Sequence, residues 1–140
     1  MSNADNSHNW LVLLHQLPVK PPYLRVKVWR RLQALGAVPL KNAVHVLPDS
    51  EETRRAFQEL LVEISANGGD ATLIEARLLV GQSDTELIAL FDAARGADYL
   101  ELAQDARKLI ETGPASAVEI DRLKRRLEEI ARLDFFGAHG

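Results

Sequence analysis

The sequence predicts an α+β fold, with a ferredoxin-like β-α-β-β-α-β core followed by C-terminal α-helices. Two observations predict it. Short apolar runs of strand length and amphipathic helical stretches follow each other in that order up to about residue 82. Beyond it, the apolar residues have helical spacing throughout. We therefore expect a disordered leader at residues 1–8, the core at 9–82, a helical extension at 83–134 and a tail at 135–140.

The first strand and the first helix come from clear local patterns. Trp10–Leu17 is an apolar run closed by a proline, which is typical of a strand buried on at least one face. Tyr23–Leu35 carries apolar residues at helical spacing, and the prolines before it form a stiff link, with Pro22 suited to a first helical turn. Gly36 is a typical helix terminator.

The rest of the core is a hairpin, a helix and a last strand. The runs Ala37–Lys41 and Ala43–Leu47 have almost no loop between them, so they predict a hairpin, and Pro39 places the first run at a sheet edge. A second helix is predicted from Ser50 to about residue 66, and a fourth strand at Ala71–Val80. This order places the first strand between the third and the fourth.

The C-terminal region predicts three helical segments. Gly96 is expected to break the first of them, and Gly113 with Pro114 to end the second. Ser116 and Glu119 form a capping-box pattern at the start of the third. These helices are expected to fold back as a hairpin, with pairing to another chain as the alternative.

Composition excludes several function classes. The 140 residues include no cysteine, which removes disulfides, thiolate metal sites and thiol redox chemistry and fits a cytoplasmic protein. No apolar run reaches transmembrane length, and the N-terminus is polar, so neither a membrane anchor nor a signal peptide is expected. No glycine-rich phosphate loop or nucleophile motif is present, and no cofactor is expected.

The charge is unevenly distributed along the chain. The net charge is −3, yet residues 1–45 contain six bases and one acid, whereas residues 46–140 contain eleven bases and nineteen acids. On a helical wheel, Lys27, Arg30 and Arg31 lie opposite the apolar arc of the first helix. They are interpreted as a DNA-binding face, with an ordinary solvated face as the alternative.

Arg25 lies within the apolar arc of that helix, where a guanidinium needs a partner or a route to water. One hypothesis is an anion site at the helix start, formed by Arg25 with Lys20. The alternative is an internal ion pair, for which Glu75 is the expected partner.

Strand alternation predicts a second cluster, on the sheet face away from the helices. His15, His45, Glu75 and Arg77 are expected there, beside Leu11, Leu13 and Leu47. The preferred interpretation is a polar patch within an interface; a metal site and an anion site are the alternatives, although no diagnostic metal-ligand spacing is present. The three leucines would be covered either by a homodimer partner or by the C-terminal helices.

The segments WLVLLHQLP (10–18), YLRVKVWRRLQALGAVPLKNAVHVLP (23–48) and EARLLVGQSDTELIALF (75–91) resemble the N-terminal domain of ChrB, the regulator found with bacterial chromate-resistance transporters. The likeness extends over roughly residues 9–137. The helix-hairpin block is more distantly similar to the Cas2-like domain of PaaX-type repressors, which also implies a ferredoxin-like core. ChrB-type proteins usually carry a second domain after this one.

The resemblance implies a non-enzymatic, chromate-responsive transcriptional regulator with promoter DNA as partner and chromate as a candidate ligand. Two alternatives remain: a Cas2-like enzyme that processes nucleic acids, and a dimerisation or protein-interaction module that acts with a further domain. Cas2-like nucleases need an aspartate at the end of the first strand to hold a metal ion. This chain has no acid between residues 10 and 20, which argues against the enzyme.

Overall fold

The computed structural model describes residues 8–20 and 22–138. The chain divides into two compact units, Met1–Asp84 and Thr85–Gly140. Its elements are β1 (Trp10–Gln16), α1 (Tyr23–Ala34), β2 (Val38–Lys41), β3 (Val44–Pro48), α2 (Glu51–Ala66), β4 (Asp70–Ala76), α3 (Asp84–Glu111) and α4 (Ala117–Arg132). The protein is therefore α+β, with four helices and one four-stranded antiparallel sheet among the described residues.

The sheet has the strand order β2-β3-β1-β4, so the predicted position of β1 between β3 and β4 is confirmed. In the register of β1 with β3, Leu11 lies opposite Leu47 and Leu13 opposite His45. In the register of β1 with β4, Leu11 lies opposite Glu75. Directly opposed residues of antiparallel strands project to the same face, so these five side chains share one face of the sheet.

That face carries both helices of the first unit. Val28 and Leu32 of α1 line a cleft with His45, and Arg54 of α2 lines a groove with Leu11. The core between sheet and helices consists of leucine, valine, isoleucine and phenylalanine side chains that are at most 2% exposed: Leu11, Leu13, Leu24, Val28, Leu32, Leu47, Phe57, Leu60 and Ile64. Apolar burial of this kind is the main stabilising term of such a fold.

The three leucines assigned to an open face are therefore core residues, and that prediction was wrong. Leu11, Leu13 and Leu47 pack under the helices, at 2%, 0% and 0% exposure. Alternation could not decide between the faces, because β1 is apolar at five consecutive positions. A homodimer remains a prediction, but it no longer follows from these residues. On the opposite face, Leu14 and Ile74 are 38% and 41% exposed.

The ends of α2 explain how it joins the sheet. Ser50 is its N-cap and forms a reciprocal capping box with Thr53, whose hydroxyl also donates to the carbonyl of Pro48. At the other end Gly69 passes so close to the helix that an added Cβ would lie 2.7 Å from Cγ2 of Ile64 and 3.1 Å from the carbonyl oxygen of Gln16. Only glycine fits there without a shift.

The strand β4 ends earlier than predicted, at Ala76 rather than Val80. Ala76 pairs with Trp10, the first residue of β1, so the ladder has no partner beyond this point. The indole Nε1 of Trp10 donates to Oδ1 of Asp84 at 2.9 Å, at the boundary of the first unit. The leader expected at residues 1–8 lies outside the described residues except for His8.

In the second unit, α3 is one continuous helix of 28 residues, and the break predicted at Gly96 was wrong. A glycine inside a helix costs only about 1 kcal/mol relative to alanine, which good helix formers on both sides can offset. The capping box of Ser116 with Glu119 at the start of α4 is confirmed. None of the described helices is long and apolar enough to cross a membrane.

Polar and aromatic contacts join the parts of the second unit. Arg126 of α4 donates to Asp105 of α3 at 2.7 Å, and the Tyr99 hydroxyl donates to Asp134 at 2.8 Å. The rings of Phe135 and Phe136, for which the sequence suggested no partner, both lie edge-on to Phe91 of α3; the two centroid distances are 5.9 and 5.5 Å.

Candidate anion-binding site

A cleft of about 540 Å³ opens between α1 and the ends of β1 and β3. Its apolar wall comes from α1 and from the segment after β1, and consists of Leu17, Val19, Val28, Trp29 and Leu32. Its polar groups are Arg25, His15, Gln16, His45 and Asn42. A mostly apolar cavity with a few convergent polar groups is the usual composition of a small-ligand site.

Arg25 is placed at the cleft by the helix geometry. It lies one residue after the buried Leu24 and three before the buried Val28, so the helix directs it to the margin of the packed stripe. The side chain reaches water, because the residue is exposed. No described acid lies within ion-pairing distance of it. The guanidinium therefore has donors available for an anion.

The two histidines are in direct contact. Nε2 of His15 lies 3.3 Å from Nδ1 of His45, and the rings are inclined by 27°. They come from neighbouring strands, but His45 is paired with Leu13 in the register, so the contact is diagonal. The other ring nitrogen of His15, Nδ1, is buried and has no hydrogen-bond partner among the described residues.

Both histidines are held neutral at physiological pH. Burial lowers the pKa of His15, because the charged imidazolium loses hydration. Burial and the nearby His15 together lower the pKa of His45 to about 4. A neutral imidazole pair can accept one proton or one donated hydrogen bond, which two imidazolium rings could not do.

The predicted polar patch of His15, His45, Glu75 and Arg77 is not formed. The histidines contact each other, but on the face that carries the helices, so the predicted face was wrong. Glu75 lies opposite Leu11, four residues or about 13 Å along β1 from His15. Arg77 lies beyond the end of β4 and is exposed. No group of three or more candidate metal ligands occurs in the described part of the chain.

Glu75 is bonded to Arg54 of α2, which also binds Asp49 through Nε at 2.7 Å. The expected alternative for Arg25, an ion pair with Glu75, was therefore wrong. The Arg54 guanidinium holds the pKa of Asp49 below its usual range by hydrogen bonding and charge. Sequence spacing could not reveal this pairing, because it joins α2 to β4 across twenty-one residues.

The remaining cations have different positions. Lys20 is exposed in the segment before α1 and is not among the residues that line the cleft. Lys27 and Arg30 are exposed and Arg31 is partly exposed, on the side of α1 away from its buried residues. None of these three forms an ion pair with a described acid.

Two cleft residues were not identified from the sequence. Trp29 is 57% exposed and forms part of the wall, and its position at the edge of the apolar arc was the available signal. Asn42 precedes Ala43, whose φ of 61° is unusual for a residue with a Cβ. Backbone strain of this kind often accompanies binding sites, but the sequence alone does not show it.

Comparisons with known proteins agree with the resemblance found in the sequence. The family model described as "Protein ChrB, N-terminal" matches residues 25–112. "Protein ChrB" from Cupriavidus metallidurans strain CH34 is 28% identical over 132 residues, which cover 91% of this chain and 40% of that protein. The chain thus corresponds to well under half of this curated relative. No solved structure matches the chain.

Proposed function

The chain belongs to the ChrB N-terminal family, and we propose that it acts without catalysis as the DNA-binding, chromate-responsive part of a transcriptional regulator. The resemblance implies regulation of chromate resistance. The assignment to particular surfaces is ours: the outer side of α1 binds promoter DNA, and the cleft beside α1 senses chromate. The ferredoxin-like, Cas2-like classification of the core is part of the same proposal, supported by the strand order β2-β3-β1-β4.

The observation that carries the DNA proposal is the set of unpaired cations on α1. Lys27, Arg30 and Arg31 lie on its outer side without ion-pair partners among the described residues, in a chain with a net charge of −3. Unpaired cations on a helix bind phosphates with little rearrangement, and each phosphate contact releases counterions. Binding through this side should therefore weaken steeply with salt.

The test replaces Lys27, Arg30 and Arg31 by alanine and measures promoter binding by fluorescence anisotropy over a series of salt concentrations. Three phosphate contacts contribute about 2.7 to the slope of log affinity against log salt, and the variant should lose that contribution. The fold should be retained, because the three side chains point outward. The matched control replaces Arg55, Arg77 and Arg107, three exposed arginines elsewhere, by alanine. Equal salt slopes for both variants would refute the proposed surface.

Chromate sensing is a second function, favoured by one observation: Arg25 lacks an acidic partner and lines a cleft with His15 and His45. A guanidinium binds an oxyanion through two parallel hydrogen bonds, which a lysine cannot reproduce. Arg25→Lys should therefore keep the fold and lose chromate binding in calorimetry, whereas Lys20→Ala measures any added contribution of the neighbouring charge. Unchanged chromate binding in Arg25→Lys, or none in the wild type, would refute this site.

The proposal of a non-enzymatic role rests on the family and on the lack of an acid at the end of β1. Residues 10–20 contain no aspartate or glutamate to hold a catalytic metal ion. Incubation of the purified chain with DNA and RNA in the presence of Mg²⁺ or Mn²⁺ should leave both intact. Cleavage that Lys27, Arg30 and Arg31 substitutions reduce would favour the nucleic-acid-processing alternative.

A further inference from the structure

The contact between His15 and His45 has a consequence for the proton inventory of the cleft. Nε2 of His15 and Nδ1 of His45 face each other at 3.3 Å, so a neutral pair shares one hydrogen between them. In either tautomeric arrangement, one of the two outer nitrogens, Nδ1 of His15 or Nε2 of His45, then carries a hydrogen and the other is bare. The pair therefore always offers exactly one vacant position for a proton or a donated hydrogen bond.

The groups around the pair favour filling this position only when an anion is present. On the side of α1 the charged neighbour is Arg25, and on the side of β4 it is Asp70, which lines a shallow groove with His15. Without a ligand, burial opposes the charged form of either ring, and the pKa of His45 is about 4. A bound oxyanion would offset this penalty, because its negative charge lies beside the added proton.

We infer that the cleft binds its oxyanion together with one proton, carried at the contact of the anion with the His15–His45 pair, and so selects chromate over sulfate. The inference rests on the proposed role of Arg25 in chromate binding. Chromate regains a proton near neutral pH, so it brings the required hydrogen at little cost. Sulfate is a far weaker base, and its complex would need the proton on a buried imidazole. Without that proton, an oxygen lone pair of sulfate would face the bare nitrogen.

Selection by a single proton is a strong discriminator. A site built to pair with a hydrogen-bond donor leaves a buried group unsatisfied when the donor is missing, and such mismatches cost several factors of ten in binding. Sulfate and chromate have the same tetrahedral shape and charge when fully ionised, so size and charge alone separate them poorly. The two histidines supply the distinction that Arg25 cannot supply.

The test is calorimetry of the whole chain with chromate, sulfate and phosphate between about pH 6 and 8.5, in thiol-free buffer. The chain has no cysteine, so it carries no thiol that would reduce chromate. Above its second ionisation, chromate affinity should fall about tenfold per pH unit, with uptake of about one proton measured from buffers of different ionisation enthalpy. Phosphate keeps a proton over this range, so its affinity should change little. Sulfate should bind at least about tenfold more weakly than chromate at pH 6.5.

The variants His15→Phe and His45→Phe remove the shared hydrogen bond but keep an aromatic ring. In each, chromate affinity should fall to that of sulfate, and proton uptake should vanish. His45→Asn serves as a second variant with a smaller polar side chain, and the proton uptake of the wild type decides the question even if the variants do not fold.

The outcomes separate the two proposals. If chromate and sulfate bind equally, without proton uptake and unaffected by the histidine variants, the inference is overturned, while weaker binding of both anions by Arg25→Lys would still support the chromate site. If the wild type binds no oxyanion, both are overturned.

Discussion

His15 and His45 are neighbours in space although the sheet register does not pair them: His45 lies opposite Leu13, and Nε2 of His15 reaches Nδ1 of His45 diagonally at 3.3 Å. The diagonal contact brings both rings under α1, where burial keeps them neutral. The cost of charging them in the folded state gives the protein a specific sensitivity to acid.

The first prediction is a loss of stability between about pH 6.5 and 4. The pKa of His45 is lowered to about 4 in the folded protein, so the unfolded chain binds more protons in this window and its population increases as pH falls. Because His45 is partly exposed, we expect a loss of about 1 kcal/mol rather than the full value of the shift. Urea unfolding at several pH values measures it.

The control for this prediction is the double variant His15→Phe with His45→Phe, which should show a flat stability across the same window. Asp49, whose pKa is lowered by Arg54, acts in a separate range, because its contribution is lost only as the pH falls below its ordinary pKa of about 4. A wild-type protein as stable at pH 4.5 as at pH 7 would contradict the assignment of neutral, buried rings.

The second prediction uses two glycines with opposite surroundings. Gly69→Ala should destabilise the first unit by about 1–3 kcal/mol, because the added Cβ would lie 2.7 Å from Ile64 and close to the carbonyl of Gln16. Gly96→Ala should stabilise α3 by about 0.5–1 kcal/mol, because nothing lies within 4 Å of its Cβ position and alanine is the better helix former. Thermal unfolding of both variants tests the signs; equal effects would contradict the geometry.

The third prediction concerns the aromatic contacts of the tail. Replacing Phe135 and Phe136 by alanine removes both edge contacts to Phe91 and should loosen the second unit by about 1–3 kcal/mol. Hydrogen exchange of the α3 amides should report it. The matched control is Leu79→Ala with Val80→Ala, because these side chains are 89% and 94% exposed and their removal should change nothing. Unchanged exchange in the phenylalanine variant would show that the rings do not stabilise α3.

Local patterns predicted most of the elements, and tertiary context decided the rest. The helix α2 and the strand order follow from caps, periodicity and connection lengths, which act within a few residues. The sheet face was mispredicted because β1 is apolar on both sides, and Gly96 because helix continuity is set by the whole helix rather than by one residue.

The candidate site was predictable in one respect. Arg25, a cation within an apolar arc, indicated a position at the margin of the core, and the structure places it at the cleft. Its neighbours were not predictable, because the contact of Arg25 with the surroundings of His15 and His45 depends on which face of the sheet α1 covers. The partner of Glu75 depended on the same choice.

The two edges of the sheet are not equivalent. The outer strand β2 has four residues, a proline at position 39 and a register shift beside it, whereas β4 has seven residues in unbroken register with β1 and contains neither proline nor lysine. Proline, lysine and irregular pairing are the features that keep sheet edges from recruiting further strands. A peptide or a second copy that extends this sheet by main-chain hydrogen bonds will therefore do so along β4, so that growth is one-sided and stops at β2.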